Sequence, residues 1–376
     1  MKLVYYSSVL NHHQKSLCDE FYKVLGEDFT FITTMKMENQ RLALGYNPIT
    51  APYVLESFTS EENRKKAIEL AVDCDVLLAG VFPVEVLHKR MQKNKLTFRH
   101  IETYFKSGKY RILSPNAIKI AYSEHFKYRK KNLFLLCASA HVASDVAIFN
   151  GYPNKKFKWG YFPNTMCPDV KNCDKQESVI KIVWAGRFIK WKKPDYAIKL
   201  INDLTKQGVK VHLSMIGTGV MEKELKAMVQ KLNLQKEVSF CGSMPPGKVS
   251  EYMSNSDIYL FTSTREEGWG AVLNEAMGNG CAVIASSEAG STNYLVENYF
   301  NGVTYKKNKY KDLLKNALKL CKNRGLREEL GENAKKTIKE LWNYEVAAKR
   351  FIDVSEKLLN NQSENLYYNE GPMSKG

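Results

Sequence analysis

Short apolar runs of strand length, each followed by a longer stretch with helical spacing, recur in two series along this chain. That alternation restricts the fold severely. Parallel strands need crossover connections, helices supply them, and the product is a doubly wound α/β sheet. In the first series the strand-like runs are residues 3–6, 29–32, 76–79, 118–122 and 134–137, with a helix expected over 59–72. In the second they are 179–184, 212–216, 238–240, 258–261, 282–285 and 303–305, with helices over 194–205, 221–231 and 273–278. Two α/β domains are therefore expected, divided at a linker over about 163–178. A long helical tail, 313–359, is expected to pack its last part back on the first domain. Residues 360–376 are polar and expected to be loose.

Composition narrows the class. The chain has 376 residues, 44% of them hydrophobic and 26% charged, which excludes general disorder and allows two cores. Its longest apolar run, 76–84, is far below the roughly 20 residues a spanning helix needs. The N-terminal apolar run ends at Ser7, too early for a signal peptide, so a cytoplasmic protein is expected. Eight scattered cysteines without a CxxC pair read as reduced thiols, and neither a disulfide framework nor a zinc site is expected.

Charge is uneven. The formal net charge is +16, and between Lys89 and Lys131 thirteen basic residues face two acids. Seven aromatic residues interleave with them: Phe98, Tyr104, Phe105, Tyr110, Tyr122, Phe126 and Tyr128. Such a stretch attracts phosphorylated substrates or anionic lipid headgroups, or is simply a solvated face. No helix-turn-helix, zinc-finger or RNP signature accompanies it, so nucleic acid is not expected as a partner.

Paired doubly wound domains bind ligands at the carboxyl ends of their strands, in the cleft between them. Three strand exits carry unusual residues. After the strand at 179–184, Gly186, Arg187, Lys190, Lys192 and Lys193 precede Pro194, a favoured first helical residue. Cations gathered there suit a diphosphate, Arg by bidentate contact and Lys as a point charge. After 212–216 comes Gly217-Thr218-Gly219, either a turn exposing amides to a nucleotide or a plain tight turn. After 258–261 a loop carries Glu267, Gly268, Trp269, Gly270, Ala271 and Val272 into a helix bearing Glu275. The two glycines bare the backbone, and the helix start aims its amides at any bound anion. Carboxylates on either flank accept hydrogen bonds from hydroxyls. Phosphate flanked by polyols describes a nucleoside diphosphate sugar.

The segment 261–280, with Glu267 and Glu275 as a Glu-x7-Glu pair, resembles the retaining glycosyltransferases of family 4 (glycosyl transferases group 1). Gly186-Arg187 with Lys192 is similar to that family's Gly-Arg…Lys donor-phosphate motif, and Gly217-Thr218-Gly219, Phe240-Cys241-Gly242 and 282–285 follow in the family's order. The resemblance spans about 180–358. It implies the GT-B fold: an acceptor-binding Rossmann-like domain over 1–165, joined by a returning helix at about 345–376, and a donor-binding domain over 166–344, facing a central cleft. Carried over, Arg187 and Lys192 stabilise the leaving diphosphate, Glu267 contacts the donor sugar and Glu275 the ribose. Gly186, Gly217, Gly219, Gly268, Trp269, Gly270, Ala271 and Val272 complete the donor side.

Two departures from the family stand out. Lys193 occupies a place where the family has Gly, so either Lys192 or Lys193 meets the phosphate. The family's glycine-rich first loop is replaced by residues 7–14, where Asn11, His12 and His13 become the acceptor-side candidates. Retention and a UDP-sugar donor are expected, with a glycan or polyprenyl-diphosphate-linked acceptor and an anionic membrane surface as further partners. No cofactor and no metal are expected, since no Asp-x-Asp stands at a strand end. A GT-B nucleotide-sugar epimerase, or a non-catalytic nucleotide-sugar or membrane-binding module, are the alternative readings.

Overall fold

The computed structural model describes the whole chain except residues 38–47, 106–107, 109–113, 166–178, 307–308 and 363. The expected linker therefore lies largely outside the described residues, as do Cys167, Cys173, Lys106, Lys109, Tyr110 and Arg111. The chain divides into two units, Met1–Pro163 with Trp342–Gly376, and Asn164–Leu341.

In the first unit the strands are β1 (Leu3–Ser7), β2 (Phe29–Thr33), β3 (Val54–Glu56), β4 (Val76–Ala79), β5 (Leu96–Ile101), β6 (Leu133–Cys137) and β7 (Lys156–Lys158). Among the described residues they form one parallel sheet in the order β3-β2-β1-β4-β5-β6-β7. Strand β1 is buried along its whole length and β6 likewise, the signature of parallel strands covered on both faces. The helix Glu61–Asp73 starts where Ser60 accepts a hydrogen bond from the Asn63 amide (3.0 Å). The helix Tyr344–Leu359 packs Phe351 against Phe21, Phe98 and Trp159.

The second unit has β8 (Ile180–Ala185), β9 (Val211–Ile216), β10 (Val238–Gly242), β11 (Ile258–Phe261), β12 (Ala282–Ser286) and β13 (Val303–Tyr305). They pair in parallel in the order β10-β9-β8-β11-β12-β13. Its core gathers Ile182, Ile198, Leu200, Leu213, Leu260 and Ile284, all essentially inaccessible. Both units are thus Rossmann-like, as the alternation of apolar runs implies.

Three expectations need correcting. Residues 118–122 are not a strand: Pro115 opens the helix Pro115–Ile120, which runs on into the helical turn Ala121–His125. The helical tail is three helices, Tyr310–Lys322, Arg324–Glu340 and Tyr344–Leu359. The side chains of Asn323 and Asn343 cap the amides of Leu326 and Val346, and each cap starts a new helix. The C-terminal residues are not loose. Lys158 donates its amide to the Ser374 carbonyl (2.8 Å), Met373 and Gly376 donate back to Lys158 and Lys156, and Met373 is fully buried. The outer edge of β7 is covered in this way.

The basic stretch 89–131 is partly interior. It contains β5, which lies inside the sheet, and the fully buried Arg90. That guanidinium donates to the carbonyls of Ala71 (2.8 Å), Cys74 (2.9 Å) and Leu96 (2.5 Å) and to the Thr97 hydroxyl (2.9 Å). Phe98, Phe105 and Tyr128 are buried as well. Lys93 pairs with Asp73 and Arg99 with Glu124. Among the described residues, Lys89 and Lys93 of this stretch are exposed, as is much of the segment 115–131, where Ile118, Ile120 and Tyr122 are exposed beside Lys119, Lys127, Lys130 and Lys131. Among the described residues no helix is long and apolar enough to cross a membrane. Among the described residues, Cys18, Cys74, Cys137, Cys241, Cys281 and Cys321 are not joined in disulfides.

Candidate functional site

In the second unit the strand order reverses between β8 and β11, and a doubly wound sheet offers its ligand crevice at that switch point. The chain leaves β8 through residues 186–193 and leaves β11 through residues 262–271. The two loops with the strongest motifs are therefore neighbours because of the topology.

They are also bonded to each other. The Lys192 ammonium makes an ion pair and hydrogen bond with one Glu267 carboxylate oxygen, Oε2. Ser263 donates its hydroxyl to the same oxygen (3.0 Å). Lys192 and Glu267 retain only 12% and 14% of their side-chain exposure, so the pair is poorly screened by water. Backbone bonds tie the loops further, with the Thr264 amide donating to the Trp191 carbonyl (2.8 Å). The Thr262 hydroxyl accepts from Trp184 Nε1 (2.8 Å) and donates to the Lys192 carbonyl (2.6 Å). Ser263 and Thr262 escape a reading by motif. Their only signal is position, directly after a buried strand.

Lys192 and Lys193 part company here. After the tight turn Lys190–Lys192, Lys193 takes a left-handed backbone (φ 47°) and sends its ammonium over the Tyr196 ring, 4.4 Å from the centroid. Lys192 alone of the two reaches Glu267. Arg187 is exposed, its guanidinium 5.7 Å from the Trp191 ring centroid. Glu275, half-buried on the helix Val272–Gly278, has its carboxyl pushed up to about 7 by desolvation.

The glycines do more inside the protein than a ligand-centred reading suggests. At Gly217 (φ 130°) a Cβ would stand 2.0 Å from the Gly186 carbonyl oxygen, and at Gly219 one would stand 2.6 Å from that of Phe188. Both let the β9 exit lie against the β8 exit, where Phe188 donates its amide to Thr218 (2.8 Å). Gly270 (φ 84°) likewise accommodates the Phe261 ring. The Trp269 indole is buried, donates Nε1–H to Asn274 (2.8 Å) and lies near Tyr294, so the side chain braces the loop. Gly268 and Ala271 are buried and Val272 partly so.

At the same edge of the first unit, β1 leads to Asn11. Its side chain is engaged, accepting the His13 amide (3.0 Å) as the cap of the helix His12–Leu25. His12 and His13 open that helix with ring centroids 3.6 Å apart. Past the ends of β1, β2 and β3 lies a cavity of about 290 Å³, lined by Val9, Leu10, Met35, Lys36, Met37 and Phe58 among others. It is mainly apolar, with one basic group, Lys36, and one acid, Glu56.

Residues 169–337 match the model of the family described as glycosyl transferases group 1. An uncharacterised glycosyltransferase of Methanocaldococcus jannaschii is 29% identical over 274 residues, which cover 71% of this chain and 64% of that protein. The match thus spans less than two-thirds of that relative's length. The amylovoran biosynthesis glycosyltransferase AmsK of Erwinia amylovora is 28% identical over 127 residues, 32% of this chain and 31% of its own. Among solved structures, HepE of Anabaena in complex with UDP superposes with a TM-score of 0.71 at 16% identity, covering 95% of this chain and all of HepE. At that identity the likeness carries the fold alone. Over residues 169–337 this chain is thus similar to the glycosyl transferases group 1 family, and its two Rossmann-like units give it the GT-B fold.

Proposed function

We propose that this protein is a retaining glycosyltransferase that moves a sugar from a nucleoside diphosphate sugar, a UDP-sugar, to a hydroxyl of a glycan or lipid-linked acceptor in the making of a cell-surface polysaccharide. The observation that carries the reading is the Lys192–Glu267 pair at the β8/β11 switch point, with Arg187 on the same loop. HepE's complex with UDP and AmsK's part in amylovoran biosynthesis support the donor and the product class. In the proposed reaction the bond from the anomeric carbon to the diphosphate breaks and a bond to the acceptor oxygen forms on the same face. The departing phosphate oxygen takes the acceptor's proton. Lys192 and Arg187 stabilise the charge that develops on the diphosphate, a role that needs no metal. Glu267 holds the donor sugar and Glu275 the ribose hydroxyls. Asn11 serves as a helix cap, so acceptor contacts fall to His12 and His13.

The exposed Ile118, Ile120 and Tyr122, set among lysines, suit shallow attachment to an anionic membrane surface, where a lipid-linked acceptor resides. The test is a panel of nucleoside diphosphate sugars with and without polyprenyl-diphosphate-linked acceptors, read as released nucleoside diphosphate. UDP release that needs acceptor and survives EDTA is expected. Conversion of the donor without acceptor, or strict dependence on a divalent ion, contradicts the proposal. Co-sedimentation with anionic vesicles that fades as salt rises is expected from the same preparation.

A further inference from the structure

The cation expected to meet the diphosphate sits on a loop with little structure of its own. Residues 190–192 form one tight turn, followed by a left-handed Lys193 and then Pro194. Within the turn, Lys192 donates its amide to Ile189 (3.0 Å) and Lys193 to Lys190 (3.3 Å). Two bonds arrive from the β11 exit and take successive carbonyls of this loop: the Thr264 amide on Trp191, and the Thr262 hydroxyl on Lys192.

We infer that Thr262 is a positioning residue for Lys192. Its hydroxyl is buried between two groups that leave it no choice of orientation. The Trp184 indole N–H can only donate, and the Lys192 carbonyl can only accept. The hydroxyl hydrogen is therefore aimed at Lys192, and the bonds run in one sense from a core tryptophan of β8 to the loop. Thr262 is 2% exposed and Trp184 3%, so water does not substitute for either partner without rearrangement. The brace fixes the backbone from which the Lys192 side chain reaches Glu267. Electrostatic stabilisation of a leaving group depends on such placement, because a misplacement of about 1 Å costs as much as 10²-fold in rate.

This inference rests on the proposed donor site. The test is a double-mutant cycle in Thr262 and Lys192, with UDP affinity and transfer rate as readouts and thermal melting alongside. Thr262→Val keeps the shape and removes the hydroxyl, and is expected to lower transfer about 10- to 100-fold. Thr262→Ser keeps the hydroxyl and is expected to stay close to the wild type. The decisive result is non-additivity: on a Lys192→Ala background, Thr262→Val should cost almost nothing further. A merely structural threonine would give the full loss on either background, and that outcome overturns the inference. So does a Thr262→Val protein that matches the wild type while Lys192→Ala is impaired. If the valine variant fails to fold, Trp184→Phe removes the donor at the other end of the brace and enters the same cycle, with the same outcomes deciding. A wild type that binds none of UDP, GDP, ADP or pyrophosphate sinks the donor-site reading itself, and this inference with it.

Discussion

At the carboxyl edge of the second sheet, two neighbouring strand exits hold an ion pair, a serine bonded to it and a threonine brace. At the same edge of the first sheet stand a capped helix start, two adjacent, mutually tilted imidazoles and a mainly apolar cavity of about 290 Å³. Both edges come from parallel sheets in which the first four strands run in the same order. What differs is the chemistry placed on them. The charged edge is tied down by bonds between its loops, as suits a ligand that carries its own charge and must be met by fixed groups. The apolar edge offers shape. Topology chooses where a site stands, and the residues at the strand exits choose what it does.

The comparison extends to the cations, and here the largest effects are expected. Lys192→Ala or Arg187→Ala should slow transfer by about 10²–10³-fold, the scale of losing one transition-state contact, with melting little changed. Arg90 in the first unit should behave in the opposite way. It donates to carbonyls of residues 71, 74 and 96, and Arg90→Met strands them in the core. At about 1–3 kcal/mol for each carbonyl left dry, the variant should lose at least about 3 kcal/mol of stability by urea unfolding. Donor affinity of the fraction still folded should be unchanged. A Lys192→Ala protein that melts early with normal turnover would break the contrast.

How much of this was legible follows the same physics. β8 and β11 are buried on both faces, so they stand out as apolar runs, and the strand–loop–helix after β11 could be read almost residue by residue. β5 could not. Its sequence, Leu96-Thr97-Phe98-Arg99-His100-Ile101, mixes polar groups that find partners only in the fold, such as Thr97 with Arg90. The basic stretch was read from its charge and its interleaved aromatics, and neither reveals that Arg90 points inward. The brace was out of reach for another reason: it joins residues 70 and 78 positions apart, and nothing local in a lone threonine announces that. The pairing of the C-terminal residues with β7 depends on tertiary contacts in the same way.

A smaller effect separates the two carboxylates of the charged edge. Glu267 is engaged by Lys192 and Ser263, whereas desolvation raises Glu275 to about 7. If Glu275 accepts ribose hydroxyls as a carboxylate, UDP affinity should rise with pH through about 7 in calorimetric titrations and flatten in Glu275→Gln. The stability effect has the opposite sign. An acid raised in the folded state keeps a proton that the unfolded chain releases near 4.5. Its contribution therefore falls as pH rises from about 4.5 to about 7, and is constant above that. A pH-independent affinity in the wild type would remove Glu275 from the ribose.

The smallest expected effect lies at Lys193, where the contrast between neighbouring lysines is sharpest. Its left-handed backbone costs a residue with a Cβ about 1–2 kcal/mol, and glycine escapes that cost. Glycine also loses more freedom on folding, about 0.5–1 kcal/mol, and Lys193→Gly gives up the contact with Tyr196, worth about as much again. These terms nearly cancel, so Lys193→Gly should leave stability within about 1 kcal/mol of the wild type. Donor affinity should not change, because the Lys193 ammonium is held over Tyr196 and it is Lys192 that reaches Glu267. Measured beside Lys192→Ala in one titration series, the variant separates shape from charge at this turn. A large loss of UDP affinity in Lys193→Gly with little in Lys192→Ala would exchange the two lysines' roles, and the brace from Thr262 would then be holding the wrong cation.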